Sequence, residues 1–197
     1  MIRDYSTGMI TDWGIHIVDT AQLAAQDPHG WPVEIKAWGQ PPPAGAQTDI
    51  PAVFEVHYRY GNGVTLTVKT GDKPDLGANA AIRLLGARGW ISCTGWRGRF
   101  EASDPTLLQL KYGPGESKHG PLPPGEHRNF LDAIRGRAAP TYSAETLHRL
   151  CTPLHAGLIA MDLGRTLQWD PVKEEFLGDA EANRRTRRNE RDDWKRG

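Results

Sequence analysis

The apolar positions of this chain change period twice, from helical to alternating and back to helical. Between Thr11 and Ala25 they recur at helical spacing, so Trp13, Ile17 and Ala21 are expected to turn toward a core. Asp12, His16 and Asp19 stand four and then three residues apart and share another face of that helix. Asp27-Pro28-His29-Gly30-Trp31-Pro32 breaks the pattern. Val33 to Trp38 then alternates as a half-buried strand does, and Gly39 to Gly45, with its run of prolines, reads as a loop. In Val53 to Tyr60, the residues Phe54, Val56, Tyr58 and Tyr60 lie on one face and Glu55, His57 and Arg59 on the other. Asn62-Gly63 predicts a hairpin turn, because such turns want positive φ at their centre, and Val64 to Thr70 is the returning strand. Ala81–Leu85 and Trp90–Thr94 form a second hairpin around Gly86-Ala87-Arg88-Gly89, with short edge strands expected at Arg99–Ala102 and Leu107–Lys111.

The helical period resumes at His127–Arg137, through Phe130, Leu131 and Ile134, and again at Ser143–Leu163. The latter carries a stripe of Leu147, Leu150, Cys151, Leu154, Leu158 and Met161, with Ser143 placed to cap its start and Gly164 its end. Pro153 is expected to kink it. One helix, a run of antiparallel strands and further helices make an α+β order. There is no βαβ alternation and no G-x-G-x-x-G, and the glycine clusters fall in hairpins. Nothing here is expected to bind a dinucleotide pyrophosphate by itself.

At 197 residues the chain suits one substantial core. We place a single domain over residues 1–179 and a charged arm over 180–197, where Arg184, Arg185, Arg187, Arg188 and Arg191 alternate with Glu190, Asp192 and Asp193. That arm reads as solvated or as an intersubunit strap. Lys+Arg and Asp+Glu are both 24, so no basic excess points to nucleic acid. Cys93 and Cys151 lie far apart in unlike contexts, which predicts two free, buried thiols in a reducing, cytoplasmic setting. No apolar run reaches the ~18 residues of a membrane span. The abrupt opening Met1-Ile2-Arg3-Asp4-Tyr5 suggests a missing N-terminal part, and with it any export signal.

The stripe Asp12, His16, Asp19 is the main chemical candidate. A carboxylate one turn from an imidazole orients the ring, and an unperturbed pKa of ~6.5 lets histidine take and give a proton near neutrality. The plainer reading makes Asp12 a helix-start residue and His16 a satisfied core histidine. A third reading uses all three as hard ligands of a metal hydrolase, although the helix offers no convincing further ligand. Trp13 and Trp31 suit either stacking on a sugar face or packing. His57, Arg59 and Arg97 suit an exposed sheet face.

Tyr5-Ser6-Thr7-Gly8-Met9-Ile10-Thr11-Asp12-Trp13-Gly14-Ile15-His16-Ile17-Val18-Asp19 resembles the signature of the Gfo/Idh/MocA oxidoreductases, in which a glycine-rich strand end leads into a helix carrying Asp-x-x-x-His. Asn129-Phe130-Leu131-Asp132-Ala133-Ile134-Arg135 resembles the helix that follows the sheet in that family. Leu163-Gly164-Arg165 through Trp169-Asp170-Pro171, then Gly178-Asp179-Ala180-Glu181-Ala182-Asn183-Arg184, is similar to the closing segment of a bacterial branch. The likeness runs from Tyr5 to about Trp194.

The resemblance implies a C-terminal α+β domain with an open, mostly antiparallel sheet and helices on one face. In the family this domain supplies substrate site and oligomer interface, while a separate Rossmann domain holds NAD or NADP. It implies His16 as the proton-transferring base, Asp12 as the carboxylate beside it, and Asp19, Trp13 and Gly8 as substrate-side residues. The partners implied are a sugar or polyol, a Rossmann domain and a second copy of the chain through the sheet face. This chain would then be half of an NAD(P)-dependent dehydrogenase, inactive alone. Two departures stand out: Thr7 replaces a frequent glycine, and the family's Glu-Lys-Pro motif has no counterpart. The rival from another class is a non-catalytic sugar-binding or oligomerising module, using Phe54, Val56, Tyr58 and Tyr60 as an exposed aromatic patch.

Overall fold

In a computed structural model, residues 2–3, 5–25, 30–71, 81–94, 99–113 and 125–188 are described. The chain begins with helix α1 (Trp13–Ala25) and continues through strands β1 (Pro32–Gly39), β2 (Phe54–Tyr60) and β3 (Thr65–Lys69). Strands β4 (Ala81–Gly86), β5 (Gly89–Thr94) and β6 (Phe100–Ala102) follow. After helices α2 (Glu126–Ile134) and α3 (Ala144–Leu163), the short strands β7 (Leu167–Asp170) and β8 (Glu175–Phe176) lead to α4 (Ala180–Arg184). The strands form a five-stranded sheet in the order β3-β2-β1-β7-β8 and a three-stranded sheet in the order β4-β5-β6, every pair antiparallel. This is the expected α+β architecture.

Register explains the core. Ile35 sits opposite Tyr58 on one side and Leu167 on the other, and Tyr58 sits opposite Leu66. A row of apolar side chains therefore crosses four strands on one face of the sheet. Helix α3 lies over that face with Leu150, Leu154 and Ala160 buried, and α1 packs beside it through Val18. Close approach depends on Gly157, where an added Cβ would stand 2.5 Å from the Tyr58 hydroxyl. The caps of α3 are as the sequence predicts. Ser143 Oγ accepts the Thr146 N–H at 3.1 Å, and Gly164 closes the helix at φ 61°. The helix runs on through buried Pro153 rather than ending there.

Several expectations change. Phe54, Val56, Tyr58 and Tyr60 are not an exposed patch: they are buried under the helices, because α1 and α3 cover that side of the sheet. The open side carries Lys36, Trp38, His57 and Arg59 instead, with Trp38 59% exposed. Trp13 does not face the core. It is about half exposed, while Ile10 and Val18 anchor the helix and Ala21 packs as predicted. Leu107–Lys111 is no strand: Pro105–Gln109 is a 3-10 turn, started by Asp104, whose carboxylate accepts the Thr106 N–H at 2.9 Å. Phe130, Leu131 and Ile134 lie on a helix as predicted, but all three are exposed. Cys93 and Cys151 are free and only half-buried. The segment expected as an arm from 180 begins packed, since Ala182 is fully buried and the Asn183 side chain brackets the backbone of Phe176 at 2.8 Å in both directions.

Candidate functional site

The polar stripe is set by the turn before α1. Gly8 adopts φ 81°, a conformation that glycine takes without strain, and lies so close to Ile50 that a Cβ would stand 2.6 Å from its Cγ2. Its carbonyl accepts the N–H of Thr11 at 3.1 Å and of Asp12 at 3.0 Å, and Met9 accepts the N–H of Gly14 at 2.9 Å. The Thr7 and Thr11 hydroxyls are bonded to each other across the same turn. Gly8 itself is buried, so it acts by shaping the turn that delivers Asp12 to the start of the helix.

From there the helix does the rest. Asp12 and His16 are exposed, and Asp19 is half-buried. His16 is thus not a core histidine. The structure adds a residue that sequence reasoning missed: the Tyr142 hydroxyl donates to Asp19 Oδ2 at 2.8 Å. Accepting this bond and carrying its charge nearby, Asp19 holds the Tyr142 phenol above its ordinary pKa, with burial adding to the effect. Tyr142 lies 123 residues from Asp19, and no spacing rule in the sequence signals the contact. The stripe therefore gathers an imidazole, two carboxylates and a phenol along one helix face.

Other candidates take structural places. Trp31 is buried, donates its Nε1–H to the Arg149 carbonyl at 2.8 Å and meets Trp169 edge-on at 6.3 Å. Trp13 is the exposed aromatic beside Asp12. His57 and Arg59 lie on the open sheet face as expected. His57 bonds Glu55 at 2.8 Å, while Arg59 and the Gln168 amide bind Glu34 and hold its carboxyl below the usual range. Arg97 lies outside the described residues. No group of three or more His, Cys, Asp or Glu side chains forms a metal site among the described residues.

A nicotinamide dinucleotide needs a strand-to-helix turn that presents backbone N–H groups to its pyrophosphate. The described strands pair only in antiparallel fashion, so no βαβ unit of that kind occurs among the described residues. No described helix is long and apolar enough to cross a membrane.

Comparison with solved structures gives the same fold. An NAD-binding protein from Listeria innocua matches with a TM-score of 0.57 at 20% identity, over 82% of this chain and 51% of that one. The WlbA dehydrogenase from Bordetella pertussis, solved with NADH and UDP-GlcNAcA, matches with a TM-score of 0.57 at 13% identity, over 82% and 45%. An oxidoreductase from Agrobacterium radiobacter, solved with NAD+, L-tartaric acid and magnesium, gives a TM-score of 0.51 at 18% identity, over 81% and 48%. The chain thus spans about half the length of the structures it matches. No curated protein matches it. The family model described as the oxidoreductase family, C-terminal alpha/beta domain, covers residues 2–196, and the chain belongs to that Gfo/Idh/MocA oxidoreductase family.

Proposed function

We propose that this chain is the substrate-side half of an NAD(P)-dependent dehydrogenase acting on a carbohydrate CH–OH group, with His16 as the proton-handling base. The observation that carries this reading is the polar stripe of Asp12, His16 and Asp19 at the start of α1, with Asp12 and His16 exposed, in a chain of the oxidoreductase family. When a secondary alcohol is oxidised, the hydroxyl must lose a proton as its C–H bond gives up hydride. An exposed imidazole takes that proton, and the carboxylate one turn earlier stabilises the imidazolium that forms. Asp19, oriented by Tyr142, offers acceptor oxygens to a neighbouring substrate hydroxyl. Trp13 gives a sugar ring an apolar surface beside Asp12.

The hydride acceptor must be held by a Rossmann domain, as part of the same protein or a separate chain, and in the cytoplasm such a pair would draw on the soluble NAD(P) pool. The open sheet face, with Trp38 set among Lys36, His57 and the Arg59–Glu34 pair, is the surface we assign to self-association. If that face served assembly alone, with no substrate at α1, the chain would be an oligomerising module.

Turnover separates these readings. The 197-residue chain is mixed with NAD or NADP and a panel of polyols, aldoses, uronic acids and nucleotide sugars, then fused behind a family Rossmann domain and assayed again. The expected result is no turnover from the chain alone and reduction of cofactor by the fused protein. Turnover by the chain alone contradicts the half-enzyme reading, and a folded, cofactor-loaded fusion inert to the whole panel contradicts the catalytic one.

A further inference from the structure

A polar concavity lies away from the α1 stripe. It is a groove of about 760 Å³ on the side of α3 that carries His148, Cys151, His155 and Asp162, and neither Asp12, His16 nor Asp19 lines it. This volume falls within the range that holds a small organic ligand. The opposite wall is the segment after α4, with Arg185, Arg187 and Arg188, and Arg3 reaches in from the start of the chain.

Arginines outnumber carboxylates among the described residues of this groove. Four arginines face two carboxylates, Asp162 and Glu174. Asp162 is already shared between Arg3 and Arg185, and Arg185 also holds Glu181 of α4. Glu174 is bound to His148 at 2.8 Å. The Arg188 guanidinium donates to the Arg3 carbonyl at 3.1 Å, which ties the groove's two ends together. Arg187 makes no hydrogen bond or ion pair among the described residues. On the floor, Trp169, Phe176 and Ile159 are buried apolar residues.

We propose that this groove binds a small organic dianion, a phosphate monoester or a dicarboxylate, whose charge is taken by Arg187 and whose body lies along α3. Guanidinium groups match both anions in a bidentate geometry, and an apolar floor favours an organic body over a bare ion. His155 reports on occupancy. Burial, and the nearby Arg188, hold its imidazole below the ordinary value, and a bound dianion reverses the second influence. This assignment is independent of the function proposed for α1.

The test is calorimetric titration of the whole chain at low salt with adenosine 5′-monophosphate, succinate and inorganic phosphate, with adenosine as the neutral control. His155 and His16 ring resonances are followed alongside. The expected result is binding of adenosine monophosphate, succinate or both, no binding of adenosine, and a rise in the His155 pKa with ligand while His16 stays unmoved. Preference for the nucleotide assigns the site to phosphate monoesters, and preference for succinate to dicarboxylates. Arg187→Gln, which removes no described contact, should weaken binding by roughly tenfold, the loss of one charge-assisted hydrogen bond. If none of the three anions binds, or if binding is indifferent to Arg187→Gln and leaves His155 unmoved, the assignment is overturned.

Discussion

His16 stands in solvent because α1 is anchored by a narrow apolar edge of Ile10, Val18 and Ala21, which leaves the opposite face free for polar groups. That face was legible in the sequence, since Asp12, His16 and Asp19 need only helical geometry to align. Tyr142 was not, because its bond to Asp19 depends on where the chain returns much later. Residue identity also conceals a cost in the core. The Tyr58 hydroxyl is buried with no hydrogen-bond partner among the described residues, and burial pushes its phenol pKa far upward. Tyr58→Phe is therefore expected to leave stability unchanged or raise it by up to about 1 kcal/mol, read from urea midpoints at constant slope. A loss of more than about 1 kcal/mol would show that the hydroxyl has a partner after all. Gly157→Ala, whose methyl group would press on the same hydroxyl, should instead cost about 1–3 kcal/mol.

At the scale of elements, local chemistry predicted a great deal. The alternation of β2, the hairpin after Tyr60, the Ser143 cap and the Gly164 stop all appear at their expected places. Alternation fixes which residues share a face but not which face the helices cover. That is why Phe54, Val56, Tyr58 and Tyr60 read as an exposed patch in the sequence, whereas in the fold α1 and α3 lie on them. The tail from 180 likewise begins tied to the fold. Its charges suggest a solvated arm, yet Arg165 binds Asp179 through two bonds of 2.9 Å and Glu181 through a third, fastening the start of α4 to the turn between α3 and β7. Arg165 holds the Asp179 carboxyl down at about 2, helped by the Ala182 N–H. A carboxyl whose folded pKa lies below its unfolded value stabilises the fold above the unfolded pKa of ~3.9 and loses that contribution as pH falls toward the folded value. Stability should accordingly decline between about pH 4 and pH 2, and Arg165→Gln should flatten the decline. Parallel acid titrations of both proteins, followed by circular dichroism, check this. Identical slopes in that window would mean that the clasp contributes nothing.

Over the whole molecule, one antiparallel five-stranded sheet has helices on one side and a polar, Trp38-bearing surface on the other. The sequence carried this architecture through a family likeness spanning nearly all of the chain, and the family match over residues 2–196 agrees. The basic groove beside α3 was invisible in it, because Arg3 and the 185–188 segment meet only in the folded chain. The central claim concerns α1: its exposed imidazole moves the substrate proton. The most direct test is steady-state kinetics of His16→Asn in the chain fused to a family Rossmann domain, measured across pH on whichever carbohydrate the fused protein oxidises. The account predicts that kcat falls by about 10²–10⁴, that KM changes little, and that the pH profile of the rate changes shape. A variant that keeps its kcat and its pH profile would contradict it.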